Sequence, residues 1–180
     1  IDNATDSPNI NLNQLQKSNA DIAIVPHMFG LPNEIQNIKD IDIIEDCAQS
    51  LGASIDNKKT GLIGKAGIFS FYATKLMTSG GQGGMFVSKD KNLVDKVRDY
   101  REFDCRRDQK ERFNFQMTDI QASIGRVQLK KLPSFLERRQ EIFEIYKESG
   151  LDLLASENNA SVHYRAVIRI NNPAEVKDKL

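Results

Sequence analysis

The stretch Ile41-Asp-Ile-Ile-Glu-Asp-Cys-Ala-Gln49 decides the fold of this 180-residue chain. Its short apolar run at 41–44 predicts a buried strand, and an acidic pair follows the run at once. Asp46 is therefore expected near the carboxyl end of a strand, where open α/β sheets place the groups that bind ligands. Taken alone, the carboxylate also fits an exposed loop acid, so other parts of the chain must decide between the two.

Further strands are predicted on both sides of this stretch. The apolar run 21–25 precedes it, the run 67–72 follows a loop, and 85–88 follows a glycine-rich turn. Pro32 is placed to open a short helix before residue 41. Strands separated by helices or long connections favour an α/β layer architecture.

The chain beyond residue 89 is predicted to be helical. Asp90 is a suitable N-cap for a first helix. The segment Thr118-Asp-Ile-Gln121 has the form of a capping box and predicts a second helix start. Ser134-Phe-Leu-Glu137 has the same form and predicts a third, which ends at Gly150.

A domain boundary is predicted near residue 150. The polar segment 151–161 is interpreted as a linker, 162–170 as a β-type run, and Pro173 as the start of another helix. We therefore divide the chain into 1–150, part of one domain, and 151–180, the beginning of a second and incomplete domain.

Composition excludes several classes of protein. The 25 Lys and Arg residues balance the 25 Asp and Glu residues, which argues against a general binder of nucleic acid or membrane surfaces. No apolar run approaches the roughly 20 residues that a membrane helix needs, and no signal peptide is visible. The isolated Cys47 and Cys105 lack the spacing of a metal site, so no metal is predicted. A cytoplasmic protein with reduced thiols is the default expectation.

Three features together describe a site for pyridoxal 5'-phosphate (PLP). Lys75 follows a predicted strand and can supply the amine for a Schiff base, although any single lysine more often lies solvated on the surface. Asp46 can hold a pyridinium nitrogen. Ser70 and the glycines of 80–84 can supply donors for a phosphate, although glycines usually mark turns.

Several segments, in the right order over nearly the whole chain, resemble the DegT/DnrJ/EryC1/StrS family of PLP-dependent aminotransferases. Members of this family act on nucleotide-linked keto-sugars. The segments that carry the resemblance are Val25-Pro-His-Met-Phe-Gly30, Ile44-Glu-Asp-Cys-Ala-Gln49, Phe69-Ser-Phe-Tyr-Ala-Thr-Lys75, Thr78-Ser-Gly-Gly-Gln-Gly-Gly-Met85 and Asn114-Phe-Gln-Met-Thr-Asp-Ile-Gln-Ala-Ser-Ile-Gly125.

The resemblance implies a fold and a set of site residues. The fold is the large domain of the fold type I PLP-transferases (aspartate aminotransferase-like), in part, followed by the start of the small α+β domain. Lys75 would bind PLP covalently and move the proton, Asp46 would hold the pyridinium nitrogen, and Gln49 would lie beside the ring. Ser70 would bind the phosphate, and Asn114 would reach the phosphate in the partner subunit.

The resemblance also implies how the enzyme works. The amino donor is expected to be glutamate, the assembly a homodimer with shared sites, and the product an amino sugar for a surface polysaccharide, a glycan or an antibiotic. Dehydrating relatives carry His in place of the lysine, so Lys75 favours transamination. Nucleic-acid regulation is disfavoured by the charge balance and by the lack of a recognition-helix motif.

The family's chains are about twice as long as this one, so part of the cofactor pocket is expected to be missing. We expect the isolated 180-residue chain to be inactive and its full-length parent to be active. The alternative is a truncated, catalytically inactive aminotransferase-like module. Two further residues are expected to be structural: His27 as a loop histidine that makes hydrogen bonds, and Cys47 as a small buried hydrophobe.

Overall fold

The structure is a computed structural model that describes residues 1–155 and 160–178. Short helices and turns surround a four-stranded sheet, and one long helix follows it. The elements in chain order are α1 (Leu12–Gln16), β1 (Ile22–Pro26), 3-10 turns at Met28–Gly30 and Ile35–Asn37, β2 (Asp42–Asp46), β3 (Ser54–Ile55), β4 (Lys58–Lys59), β5 (Ala66–Ser70), β6 (Gly84–Ser88), α2 (Lys91–Arg101), α3 (Asp119–Glu148) and α4 (Pro173–Asp178).

The main sheet has the strand order β1-β2-β5-β6. The first three strands are parallel, and β6 runs antiparallel to β5. The register aligns Asp46 with Pro26 on one side and with Ile68 on the other. The carboxyl ends of β1, β2 and β5 therefore meet at one edge of the sheet, where Asp46 was expected. The four strands predicted before residue 89 are confirmed, with bounds that shift by up to two residues.

The two faces of this sheet differ in burial because side chains alternate along each strand. On one face Val25 and Ile43 pack with Leu15 of α1 and Ile35 in a buried apolar cluster. On the other face Ile24 is 64% exposed. Parallel strands are normally covered on both faces. The second face is apolar, as a buried face would be, yet it is open to solvent at Ile24.

The helix predicted from Pro32 is wrong: only the single 3-10 turn Ile35–Asn37 forms there. The reason lies in the hydrogen bonds of the next residue. The backbone N–H of Asn33 donates to Nδ1 of His27 at 2.9 Å, and its side-chain amide donates to the carbonyl of Pro26 at 3.2 Å. These contacts fix the start of the segment as a loop against the end of β1, and the residues that follow form only the 3-10 turn before β2 begins at Asp42.

The capping box at Thr118 is confirmed. Thr118 and Gln121 satisfy each other's backbone N–H groups at the start of α3. The helix start predicted at Ser134 is wrong, because α3 continues through that position without a break. Ser134 instead donates its hydroxyl proton to the carbonyl of Lys131 at 2.8 Å. Pro133 lies inside the helix and is exposed, so water can reach the carbonyl of Leu129 that proline cannot pair.

The segment after residue 160 packs on the rest of the molecule without forming the predicted strand. Within the described residues, its β-structure is limited to isolated bridges such as Leu153 with Ile168. The reason is that its backbone pairs elsewhere: Val162 donates to the carbonyl of Gly30 at 3.2 Å. The side chain of Val162 joins a second buried cluster with Ala53, Leu76, Leu132 and Tyr164. The helix predicted from Pro173 is confirmed as α4.

None of the helices within 1–155 and 160–178 combines the length and the apolar character that crossing a bilayer requires.

Candidate active site

Asp46 is the last residue of β2 and is half-buried at the carboxyl edge of the sheet. Its Oδ1 accepts a hydrogen bond from the backbone N–H of Ala48 at 3.0 Å. Its backbone carbonyl accepts the N–H of His27 at 3.1 Å, which ties the ends of β1 and β2 together. The carboxylate is thus fixed through one oxygen, and Oδ2, which has no hydrogen-bond partner among the described residues, remains available to a ligand.

Ser70 lies on the same face of the sheet as Asp46, because the register aligns Asp46 with Ile68 and Ser70 follows two residues later. Its Oγ accepts the N–H of Tyr72 at 3.3 Å, so its hydroxyl proton can still be donated. The glycine run ends close by, since the register pairs Ser70 with Gly84, the last residue of the run. An anion would find both a hydroxyl donor and open backbone here.

The glycines of this run are needed for its backbone shape. Gly80 and Gly81 have φ angles of +78° and +121°, a region that side chains disfavour. The run pairs with the segment after β5, where the N–H of Phe71 donates to Gly83 at 2.7 Å and that of Ala73 donates to Gly81 at 3.2 Å. The segment that leads to Lys75 is therefore held beside the glycine run.

Lys75 is half-buried in the tight turn that follows β5. Its backbone N–H donates to the carbonyl of Tyr72 at 3.0 Å. Its Nζ lies 5.5 Å from the centre of the Tyr164 ring. The lysine thus comes after β5, the strand that ends at Ser70, and lies near the carboxyl edge of the sheet that carries Asp46.

Gln49 and Asn114 lie in different surroundings. Gln49 follows β2, and its Oε1 accepts the N–H of Phe29 at 2.7 Å, so its oxygen is committed to the turn after β1. Its amide N–H groups make no hydrogen bond among the described residues and remain for a ligand. Asn114 is exposed in the connection between α2 and α3. Among the described residues no hydrogen bond joins Asn114 to the other four predicted site residues.

Behind Asp46, a buried pair that the sequence did not reveal as a unit supports this edge of the sheet. Nε2 of His27 lies 3.0 Å from Oε2 of Glu45, and both side chains are fully buried. Nδ1 of His27 accepts the N–H of Asn33, so the hydrogen of a neutral imidazole lies on Nε2 and is donated to Glu45. The expectation that His27 makes structural hydrogen bonds is confirmed.

Glu45 is the centre of this network. Its carboxylate also accepts the backbone N–H groups of Gly61, Ile63 and Gly64 at 2.7 to 2.8 Å. Burial alone raises the pKa of Glu45, but the hydrogen bonds from His27 and the three N–H groups together lower it below its usual value. Glu45 is therefore a structural carboxylate that holds the loop between β4 and β5.

Cys47 lies next to this pair and is buried. Burial, with the charge of Glu45, raises the pKa of its thiol to about 12. Together His27, Glu45 and Cys47 are close enough to hold a metal ion. The hydrogen bonds already described occupy both imidazole nitrogens and both carboxylate oxygens, and the high pKa disfavours the thiolate that a metal prefers. The geometry thus agrees with Cys47 as a small buried hydrophobe.

The residues at the sheet edge fit PLP. The cofactor carries a ring nitrogen, an aldehyde and a phosphate, which require an acid, an amine and a set of hydrogen-bond donors. Asp46 offers a fixed carboxylate with one oxygen open, Lys75 an amine, and Ser70 a hydroxyl beside glycine backbone. A sheet edge with these groups defines a PLP-binding α/β domain.

Comparison with known proteins supports this assignment. The model of the DegT/DnrJ/EryC1/StrS aminotransferase family matches residues 6–180. The chain belongs to this family, whose members depend on PLP. The predicted family and fold class are therefore confirmed.

The relatives include enzymes of nucleotide-sugar metabolism. The chain is 30% identical to GDP-perosamine synthase of Vibrio cholerae over 170 residues, which cover 82% of this chain and 43% of the relative. It is 32% identical to UDP-N-acetyl-3-dehydro-alpha-D-glucosamine 3-aminotransferase of Acidithiobacillus ferrooxidans over 173 residues, 88% of this chain and 47% of the relative.

A solved structure shows the same fold. The DegT DnrJ EryC1 StrS aminotransferase from Brucella abortus superposes with a TM-score of 0.85 at 27% identity, over 100% of this chain and 55% of that one. The chain spans about half the length of these relatives.

Proposed function

We propose that this chain is the PLP-holding part of an enzyme that transfers an amino group from glutamate to a nucleotide-linked keto-sugar. The observation that carries the proposal is the grouping of Asp46, Ser70 and Lys75 at the carboxyl edge of one sheet. The names of two relatives, one a GDP-sugar synthase and one a UDP-sugar aminotransferase, support a nucleotide-sugar substrate. The product is an amino sugar.

Each of these residues has a defined part in the proposal. PLP, when bound, supplies an electron sink that stabilises negative charge on the reacting carbon. Asp46 holds a proton at the ring nitrogen through its open Oδ2, which keeps that nitrogen positively charged. Lys75 provides the amine that binds the cofactor and carries the proton to and from the reacting carbon through Nζ. Ser70 donates its hydroxyl proton to the phosphate.

Two further site residues belong to the proposal. Gln49 orients its amide N–H groups toward the ring, since its oxygen is fixed by Phe29. Asn114 serves the phosphate of a partner subunit in a homodimer. Its exposed position between α2 and α3 supports this role, because a residue that serves another subunit must face outward.

The proposal also assigns the domains and the compartment. Residues 1–150 form part of the PLP-binding domain, and 151–180 begin the small domain. The enzyme works in the cytoplasm, where reduced thiols such as the free Cys47 and Cys105 persist.

The test is covalent labelling of Lys75. The protein, both as this chain and from its complete reading frame, is incubated with PLP, reduced with borohydride and mapped by peptide mass spectrometry. We expect the pyridoxyl label on Lys75, its loss in Lys75→Ala, and no change in Lys58→Ala, an exposed lysine of β4. The absence of label at Lys75 in the complete protein would refute the proposal.

The second candidate is an inactive aminotransferase-like module, which is favoured by the coverage of only about half of each relative. An assay with a nucleotide keto-sugar and glutamate separates the two candidates. Turnover by the complete protein with none by the 180-residue chain supports the enzyme and locates part of its site elsewhere. Labelling of Lys75 without turnover in the complete protein supports the inactive module.

A further inference from the structure

Tyr164 reaches the lysine turn from a distant part of the chain. It lies beyond the polar segment after α3, and its hydroxyl donates to the carbonyl of Thr74 at 3.3 Å. Thr74 is the residue directly before Lys75. The ring of Tyr164 lies under the lysine, 5.5 Å from Nζ to the ring centre. One side chain thus contacts both the backbone and the charged end of the lysine turn.

Tyr164 is itself held in place from several sides. Its backbone N–H donates to the carbonyl of Phe29 at 3.1 Å. Its own carbonyl accepts a hydrogen bond from Arg139 of α3 at 3.3 Å. The residue is only 6% exposed and packs in the cluster that contains Leu76 and Leu132. A ring fixed in this way gives the lysine turn a rigid contact, in addition to the hydrogen bonds between the segment before Lys75 and the glycine run.

The electrostatics of the contact favour this arrangement. The face of an aromatic ring carries negative charge density and attracts an ammonium group. The guanidinium of Arg165 lies 4.8 Å from the centre of the same ring. The ring therefore accommodates two cations that would otherwise have to be solvated separately, and it covers one side of Nζ.

We propose that Tyr164 is a positioning residue for Lys75, which it holds by the ring under Nζ and by the hydroxyl on Thr74. This inference rests on the proposed role of Lys75 in binding PLP. It makes the segment after residue 160 a part of the lysine site, although that segment contributes none of the residues that the sequence predicted for the site.

Two labels of the same amine test the proposal. Trace acetic anhydride measures how accessible and how reactive Lys75 is in general, with the exposed Lys58 as the internal reference. PLP followed by borohydride measures how well Lys75 captures the cofactor. A residue that positions the amine raises the first label and lowers the second in a variant that stays as stable to urea as the wild type. Equal stability is required because unfolding alone would also expose the amine and remove the cofactor site.

We expect Tyr164→Leu to raise the acetylation of Lys75 relative to Lys58 by roughly threefold, because a cation–π contact and its cover are lost. PLP labelling of Lys75 should fall by roughly threefold to tenfold in the same variant, because the turn is no longer held. Tyr164→Phe keeps the ring and should restore the wild-type acetylation ratio. The matched control is Tyr146→Leu, an exposed tyrosine of α3, which should change neither label.

The proposal would be overturned if a folded Tyr164→Leu variant had the same Lys75-to-Lys58 acetylation ratio and the same PLP labelling of Lys75 as the wild type. If Tyr164→Leu fails to fold by circular dichroism, Tyr164→Phe decides. In it we expect roughly a threefold loss of PLP labelling from the missing hydrogen bond to Thr74, and unchanged labelling would refute the positioning role. The variants are made in the complete protein. If the complete wild-type protein is not labelled by PLP at Lys75, the proposed function is refuted instead, while the acetylation arm still tests the contact.

Discussion

At the scale of single residues, adjacent carboxylates at the end of β2 have different tasks because they point to opposite faces. Glu45 is fully buried and accepts four hydrogen bonds, whereas Asp46 is half-buried at the open edge. The alternation of side chains along a strand assigns these environments. One carboxylate stabilises the loop behind the site, and the other is left to act on a ligand.

Replacing Glu45 with Gln should be strongly destabilising. The amide cannot accept the same set of donors, and the loss of charged hydrogen bonds to three backbone N–H groups should cost about 3 kcal/mol in the free energy of unfolding. Urea denaturation at neutral pH measures this. The exposed Glu137→Gln on α3 is the control, with an expected change within about 0.5 kcal/mol. Similar values for the two variants would contradict the structural role of Glu45.

Glu45 should also contribute to the acid sensitivity of the protein. Its pKa is lowered in the folded state, so its contribution to stability is fully present above the unfolded value near 4.3 and is lost as pH falls through the folded pKa. Between about pH 5 and pH 3, the free energy of unfolding of the wild type should therefore fall by more than that of Glu45→Gln. Urea titrations at several pH values across this range measure both. Parallel curves would show that another group controls the acid response.

At the scale of elements, α3 contains two segments with the same capping pattern but only one cap. Thr118→Ala should lower the free energy of unfolding by about 1 kcal/mol, because the N-cap bond is lost. Ser134→Ala should change it by less than about 0.5 kcal/mol, because its hydroxyl only returns to a carbonyl within the helix. Thermal or urea unfolding compares them, and equal losses would indicate a helix break at residue 134.

The two faces of β1 provide a second test at this scale. Val25 is fully buried, and its neighbour Ile24 is 64% exposed. Val25→Thr buries a hydroxyl in an apolar cluster and should cost about 2 kcal/mol, whereas Ile24→Thr should cost less than about 0.5 kcal/mol. Both replacements keep a β-branched side chain, so strand propensity is controlled. A large loss in Ile24→Thr would show that the face of the sheet that carries Ile24 is covered.

Local patterns predicted the strands well and the helix starts only in part. Short apolar runs rich in Ile and Val predict β1 and β2, and the apolar pair Ile68-Phe69 predicts β5, because such runs can be recognised within a few residues of sequence. The letters at Ser134 match a capping box as well as those at Thr118 do. Which of them caps depends on whether the preceding turn is already helical, and this is a property of the longer chain. The helix predicted from Pro32 does not form for a similar reason, since the side chain of Asn33 donates to the carbonyl of Pro26 in β1.

At the scale of the whole molecule, the segment after residue 160 docks through His163. Its ring stacks on Phe143 with 3.7 Å between ring centres, and its Nε2 lies 2.8 Å from Oε1 of Gln140. Burial lowers the pKa of His163, against the opposing charge of Glu144. The segment is thus fixed to α3 by a neutral histidine.

This contact predicts that docking weakens in acid. A histidine with a lowered folded pKa contributes stability that is present above its unfolded value near 6.5 and is lost as pH falls below it. Amide hydrogen exchange of residues 160–170, compared at pH 7.5 and 5.5 after correction for intrinsic rates, should show less protection at the lower pH. His163→Gln should remove most of this difference. Unchanged protection in wild type would contradict this docking role.

Sequence predicted the part of the candidate site that lies on neighbouring strands. Asp46 follows the predicted strand 41–44, Ser70 lies within the predicted strand 67–72, and Lys75 follows that strand. Since the carboxyl ends of parallel strands meet, the proximity of these residues could be inferred. Tyr164 could not be found in this way. It lies 90 residues from Thr74, and no local pattern signals a contact that depends on how the last segment folds back.

The unbroken course of α3 sets a fixed spacing within the molecule. Its three buried residues, Gly125, Leu132 and Phe143, lie on one stripe, since 18 residues make about five complete turns. Gly125 approaches Ser79 beside the glycine run, and Phe143 carries His163 about 27 Å further along the axis. The length of α3 therefore sets the distance between the glycine run and the segment after residue 160. One residue inserted between Gly125 and Phe143 would rotate the end of α3 that carries Phe143 by about 100°. Phe143 would then point away from His163.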